Sequence, residues 1–99
     1  MPYLIMFTDD PGVLEKKKQV RPVHREYVFK NAHRIIASGG LFPEGEDFPN
    51  GGLIILDTDV RKEAVDYIES DPFFLNGIFS KYTITRFAKF IFDYKHVSA

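Results

Sequence analysis

Gly51-Gly52-Leu53-Ile54-Ile55-Leu56 is the stretch from which the fold is read. An unbroken apolar run behind a glycine pair matches a strand covered on both faces, and so a central one. Before it, Leu41-Phe42 begins another strand, interrupted by Pro43 and the polar stretch Glu44 to Asn50. Earlier still, Pro22 suits the first turn of a helix, where a missing N–H does no harm. Val23, Tyr27, Val28, Ala32, Ile35 and Ile36 then recur at helical spacing, and Ser38-Gly39-Gly40 is expected to end that helix. Val13 to Gln19 reads as a short helical turn. Tyr3-Leu4-Ile5-Met6-Phe7 reads as a first strand, closed by the turn signal Asp9-Asp10-Pro11-Gly12.

Downstream, Asp59 is expected to cap a second helix carrying Val60, Ala64, Val65 and Ile68 on its buried stripe. That helix has to end by Asp71, because Pro72 pushes the residue before it out of the α region. Phe73 to Asn76 with Gly77 forms a turn, and Phe79 to Phe87 a half-buried strand. The order is β-α-β-β-α-β, the ferredoxin-like split of an α+β fold with both helices on one face of an antiparallel sheet. In the tail, Phe90, Phe92 and Tyr94 alternate with Ile91, Asp93 and Lys95, the pattern of an extra C-terminal strand able to cover the open face or reach a second subunit.

Ninety-nine residues fit one domain, 1–99. A chain of this length buries only about 60–70% of its unfolded surface. Ten Phe and five Tyr therefore put some aromatic surface into a subunit interface, and a homodimer is expected. A net charge of −1 argues against a nucleic-acid partner held by a basic face. With no cysteine there is neither disulfide nor thiolate chemistry nor a Cys-ligated metal. Met1 to Asp9 lacks the basic start and cleavage site of a signal peptide, and no apolar run reaches the roughly 20 residues that span a bilayer. The cytoplasm is the expected compartment, with no membrane partner.

Two residues stand out chemically. His24 lies at the edge of the apolar stripe of the long helix; such a histidine is either an amphipathic packing residue or a base near neutral pH. His33 falls on the solvent side of the same helix, nine residues away, which is no metal-ligand spacing, and no metal or cofactor is expected. Asp71 closes a helix, where the macrodipole disfavours an anion, and Pro72 holds its backbone extended. It is either an exposed turn former or a carboxylate in want of a partner. In a split β-α-β the end of the second helix can lie near the start of the first, so the two residues can meet.

Asp9, Leu14-Glu15-Lys16, Val20-Arg21-Pro22-x-His24, Gly51-Gly52 before an apolar strand, and Asp71-Pro72-Phe73 with Gly77 together resemble the YciI-like (YCII-related) family across nearly the whole chain. The resemblance implies a dimeric α+β barrel and a His–Asp dyad carried by His24 and Asp71, with Pro72 setting the carboxylate's direction. In the branch that removes chloride from chlorinated hydroxyquinols, the resemblance implies an Arg and a Ser as oxyanion site, supported by an Asp that matches Asp9. Here Lys17 stands at the Arg position and Gly52 at the Ser position. Lysine keeps the charge without the planar fork, and glycine keeps a backbone N–H without the hydroxyl. Arg21 is a substitute anion contact or a structural ion-pairing residue.

Two functions follow. One is a cofactor-independent lyase or isomerase with His24 as general base on a small, planar, oxygenated substrate, aromatic or lactone-like. The other is a non-catalytic small-molecule-binding or accessory domain. RNA binding on an RRM-like sheet is rejected, since Gly51-Gly52-Leu53-Ile54-Ile55 stands where stacking aromatics are needed. The Lys16-Lys17-Lys18 run reads as a solvated face.

Overall fold

Alternating burial along Tyr3–Thr8 makes this first strand, β1, the centre of the molecule. Residues 1–97 are described in the computed structural model; Ser98 and Ala99, the end of the expected domain, lie outside them. Helix α1, Leu14–Lys30, leads through a 3-10 turn at Ala32–Arg34 into β2, Ile35–Gly40. Then follow β3, Gly51–Leu56; α2, Arg61–Glu69; the one-turn α3, Pro72–Leu75; and β4, Tyr82–Arg86. The four strands form one antiparallel sheet in the order β2-β3-β1-β4.

Register decides which side chains share a face. Tyr3, Ile5 and Phe7 of β1 lie opposite Leu56, Ile54 and Gly52 of β3, and Ile5 lies opposite Ile84 of β4. This face carries the core, where Ile5, Leu56, Ala64, Tyr67, Ile68, Phe73, Ile78 and Phe79 are buried under the helices. Full burial of one such large apolar side chain stabilises by roughly 1.5–3 kcal/mol. The other face presents Leu4, Met6, Leu53 and Ile55 with Thr83 and Thr85, none of which belongs to the core cluster under the helices.

Several expectations are corrected. Pro22 sits in the interior of a single long helix that begins at Leu14, so the short turn and the new helix are one element. The proline is exposed, so the hydrogen bond it removes is lost on the solvent side, where water can take the freed carbonyl. That helix stops at Asn31, not at Ser38-Gly39-Gly40; Ile35 to Gly40 is the second strand, and Leu41-Phe42 lies beyond it. His33 is therefore in the 3-10 turn. Val60, not Asp59, precedes α2, and its N–H is taken by Thr58 Oγ1 at 3.1 Å. The tail forms a separate hairpin, β5 Ile91–Phe92 with β6 Lys95–His96, rather than a fifth strand of the sheet. Asp93 and Tyr94 both take positive φ, the demand of a two-residue hairpin turn.

Candidate functional site

Asp71 is where local sequence and site chemistry meet. Pro72 holds it extended, with φ −66° and ψ 130°, and Asp71 becomes the N-cap of α3 rather than the end of α2. Its Oδ1 accepts the Phe73 N–H at 2.8 Å. A carboxylate at a helix start is favoured, so the unfavourable dipole expected for Asp71 is replaced by a favourable one. The residue has no exposed surface.

The same Oδ1 lies 2.8 Å from His24 Nδ1. An ionised carboxylate only accepts, so with Asp71 ionised it is Nδ1–H that donates, and Nε2 is the ring nitrogen not engaged by the carboxylate. Phe73 lies flat on the imidazole, centroids 3.8 Å apart and planes 8° from parallel. One Asp-Pro-Phe turn thus supplies both the hydrogen bond and the stacking surface that fix the His24 ring. Behind the pair, Tyr27 donates its hydroxyl to the Tyr67 carbonyl at 2.6 Å, tying α1 to α2. Burial, and next the Asp71 charge, push both phenols above their ordinary value.

A second buried pair stands seven residues earlier on α1. Lys17 Nζ donates to Asp9 Oδ2 at 2.7 Å and to the Pro49 carbonyl at 2.8 Å. An ammonium has three N–H groups, so one is left. Lys17 is thus no part of a solvated face; Lys16 and Lys18 beside it are exposed. Lys17 Nζ also lies 5.4 Å from the centre of the Phe73 ring, which links the two pairs.

Between α1 and the β2–β3 half of the sheet lies a cleft of about 340 Å³. Lys17, Arg21, His24 and Val28 line it from the helix, as positions three and four apart do on one helical face. Ser38, Gly39, Gly40, Gly51 and Gly52 line it from the sheet, with Phe7 and Phe73 also on its wall. Asp9 and Asp71 do not reach it; each acts on a cleft residue from behind. Gly52 lies in β3 between two paired strands, so its N–H is directed within the sheet plane and not into the cleft. What glycine provides is room: a Cβ there would stand 2.7 Å from Phe7 Cζ. Arg21 makes no ion pair among the described residues. Pro72 is buried under the turn it shapes.

Phe73's stacking and the cleft positions of Phe7 and Arg25 were not singled out from sequence. The aromatic after Asp-Pro was a signal for the first, and the four-residue spacing from Arg21 for the last. Among the described residues, no three His, Asp or Glu side chains gather as metal ligands, and no helix is long and apolar enough to cross a membrane.

An α+β fold with an antiparallel sheet and helices on one face, similar to ferredoxin-like folds, defines the structural class. Residues 1–88 match the YCII-related domain, and the chain belongs to that family. The 5-chloro-2-hydroxyhydroquinone dehydrochlorinase of Burkholderia phenoliruptrix AC1100, solved with 2,5-dihydroxybenzoquinone, superposes with a TM-score of 0.82 at 24% identity, over 89% of this chain and 94% of that one. An antibiotic biosynthesis monooxygenase gives a TM-score of 0.50 at 17% identity, over 86% and 94% of the two chains. Both likenesses speak for the fold. No curated protein matches the sequence significantly.

Proposed function

We propose that the protein is a cofactor-independent lyase or isomerase in which His24 is the general base, oriented by Asp71, acting on a small, planar, oxygenated ring. The observation that carries this is the 2.8 Å contact between the imidazole of a cleft residue and a carboxylate with no exposure. Such a carboxylate holds one tautomer and stabilises the imidazolium that forms on proton uptake. Nε2 takes a proton from the substrate, and the electron pair left behind moves onto a ring oxygen. In a lyase the pair then expels a leaving group; in an isomerase the proton returns at another atom. The remaining N–H of Lys17 faces the developing oxyanion, while Asp9 holds Lys17 in place; Arg21 is a further anion contact in the same cleft. Phe7 and Phe73 give the cleft wall an aromatic character, and the dehydrochlorinase of like fold is seen with a dihydroxybenzoquinone.

The test is turnover of hydroxylated quinols, quinones and enol-lactones, followed by absorbance, for the native protein and for His24→Ala and Asp71→Asn. Loss of the base is expected to lower the rate by about 10²–10⁴-fold. Native activity in His24→Ala on a genuine substrate ends the proposal. A non-catalytic binding domain is the second reading. What favours it is a lysine with two of its three N–H groups engaged and a glycine without a donor into the cleft.

The open sheet face carries a proposal of its own: two subunits close it against each other as a dimeric α+β barrel in the cytoplasm. Exposed Met6, half-buried Leu4 and Leu53, and Ile55 form an apolar strip on the face away from the core cluster. Met6→Lys is expected to convert a dimer into a monomer in sedimentation; a monomeric native protein overturns the proposal.

A further inference from the structure

We propose that Arg21 and Arg25 form a clamp for a second anionic group of the ligand, so that the ring taken by the cleft carries a carboxylate or a phosphate. This rests on the cleft being the substrate site. Both arginines line it, one turn apart on α1, beside His24. Neither enters an ion pair among the described residues. Like charges four residues apart on a helix repel each other and are kept only at some cost in helix stability. Lys18, on the same helix, has its acidic partner in Glu15. Glu26 lies with Arg21 and Arg25 along the adjoining outer groove and does not line the cleft.

Charge along the cleft is one-sided. Its ionisable lining is Lys17, Arg21, His24 and Arg25, with no aspartate or glutamate. The two acids nearest to it, Asp9 and Asp71, are buried behind Lys17 and His24 and spend their charge there. Arg21 and Arg25 are thus the cations left without a counterion. The Arg25 guanidinium lies 5.6 Å from the Phe29 ring centre, and both residues line the cleft. Guanidinium forks match the planar oxygens of a carboxylate and those of a phosphate. One oxygen of the ring then addresses Lys17, while a separate anionic substituent addresses the arginine pair about a turn further along the helix.

Matched ring probes test this by NMR titration at low ionic strength: benzoate, its neutral isostere benzamide, and phenyl phosphate. Benzoate or phenyl phosphate is expected to bind on the order of tenfold more tightly than benzamide. Whichever is preferred names the substituent. Arg21→Gln/Arg25→Gln is expected to erase the preference while moving benzamide affinity less than about twofold, and so is 0.5 M salt. Equal affinities for the three probes in the native protein overturn the clamp, as does a preference that survives the double substitution. His24→Gln separates the two readings. An anion preference that persists beside unaltered turnover in that variant sinks the general-base proposal and leaves the clamp standing.

Discussion

Two buried ion pairs flank the same cleft, and they differ in what each leaves free. Lys17–Asp9 joins an aliphatic cation to a carboxylate with side-chain exposures of 8% and 9%, and the Pro49 carbonyl takes a further N–H. His24–Asp71 joins a one-fifth exposed imidazole to a carboxylate with no exposure. In the first pair the charge on the helix is nearly spent on its neighbours. In the second, the backbone N–H of Phe73 shares the same carboxylate oxygen, Oδ1, with the imidazole, and His24 is a cleft residue. Two contacts of nearly equal length thus differ in kind: one clasps α1 to the loops after β1 and before β3, the other holds the imidazole of a cleft residue.

The largest expected effect on stability breaks the clasp. Lys17→Met leaves Asp9 buried without its cation, and breaking a buried pair in this way costs about 3–5 kcal/mol. Urea unfolding is expected to show that loss, and a markedly smaller one for His24→Gln, because Asp71 keeps the Phe73 N–H. Equal losses would erase the distinction between the pairs.

A middle-sized effect is expected between them. Gly52→Ser forces its Cβ against Phe7, itself stacked on Phe79 with centroids 4.0 Å apart. Overpacking of this kind costs about 1–3 kcal/mol. Gly52→Ser/Phe7→Leu is expected to recover part of it in thermal unfolding. A fully stable single variant would mean that the floor between the pairs yields freely.

The smallest effect lies behind Asp71. The Tyr67 hydroxyl is buried without a hydrogen-bond partner among the described residues. Tyr67→Phe is therefore expected to be neutral or stabilising by up to about 1 kcal/mol at pH 7. Tyr27 and Tyr67 are both raised from an ordinary value of 10.0, so the folded chain holds protons that the unfolded chain releases. Their contribution is complete below that ordinary value and is lost as pH rises through the folded values. Urea midpoints compared at pH 8 and pH 10.5 are expected to fall in the native protein and to fall less in Tyr67→Phe. An identical fall would remove the phenol from the account.

Much of the sheet was legible locally. Tyr3 to Phe7 and Leu53 to Leu56 are apolar runs between turn signals, and each became a strand. The helix bearing Ala64 and Ile68 also follows from periodicity. Ile35 and Ile36 misled because they continue the spacing of Tyr27 and Val28, although Asn31 already ends the helix. What makes Ile35–Gly40 a strand is its pairing with β3, from Ile35 opposite Leu56 to Gly40 opposite Gly52, and no local window contains that partner. The tail misled in the opposite sense: its alternation was real, but Asp93 and Tyr94 fold it back on itself.

His24, Asp71 and the proline that shapes the turn were candidates from the residues and the family pattern alone, because turn chemistry and motif order are written along the chain. The sequence also determined the element order through periodicities that span only a few residues. Tertiary structure alone decided that Lys17 turns inward to Asp9, that Phe73 lies on the imidazole, and that Arg21 and Arg25 face a cleft without acids. Each of these depends on groups distant in the chain and brought within a few ångströms by sheet register. Burial, which sets the strength of a charge, belongs to the fold and to no single segment.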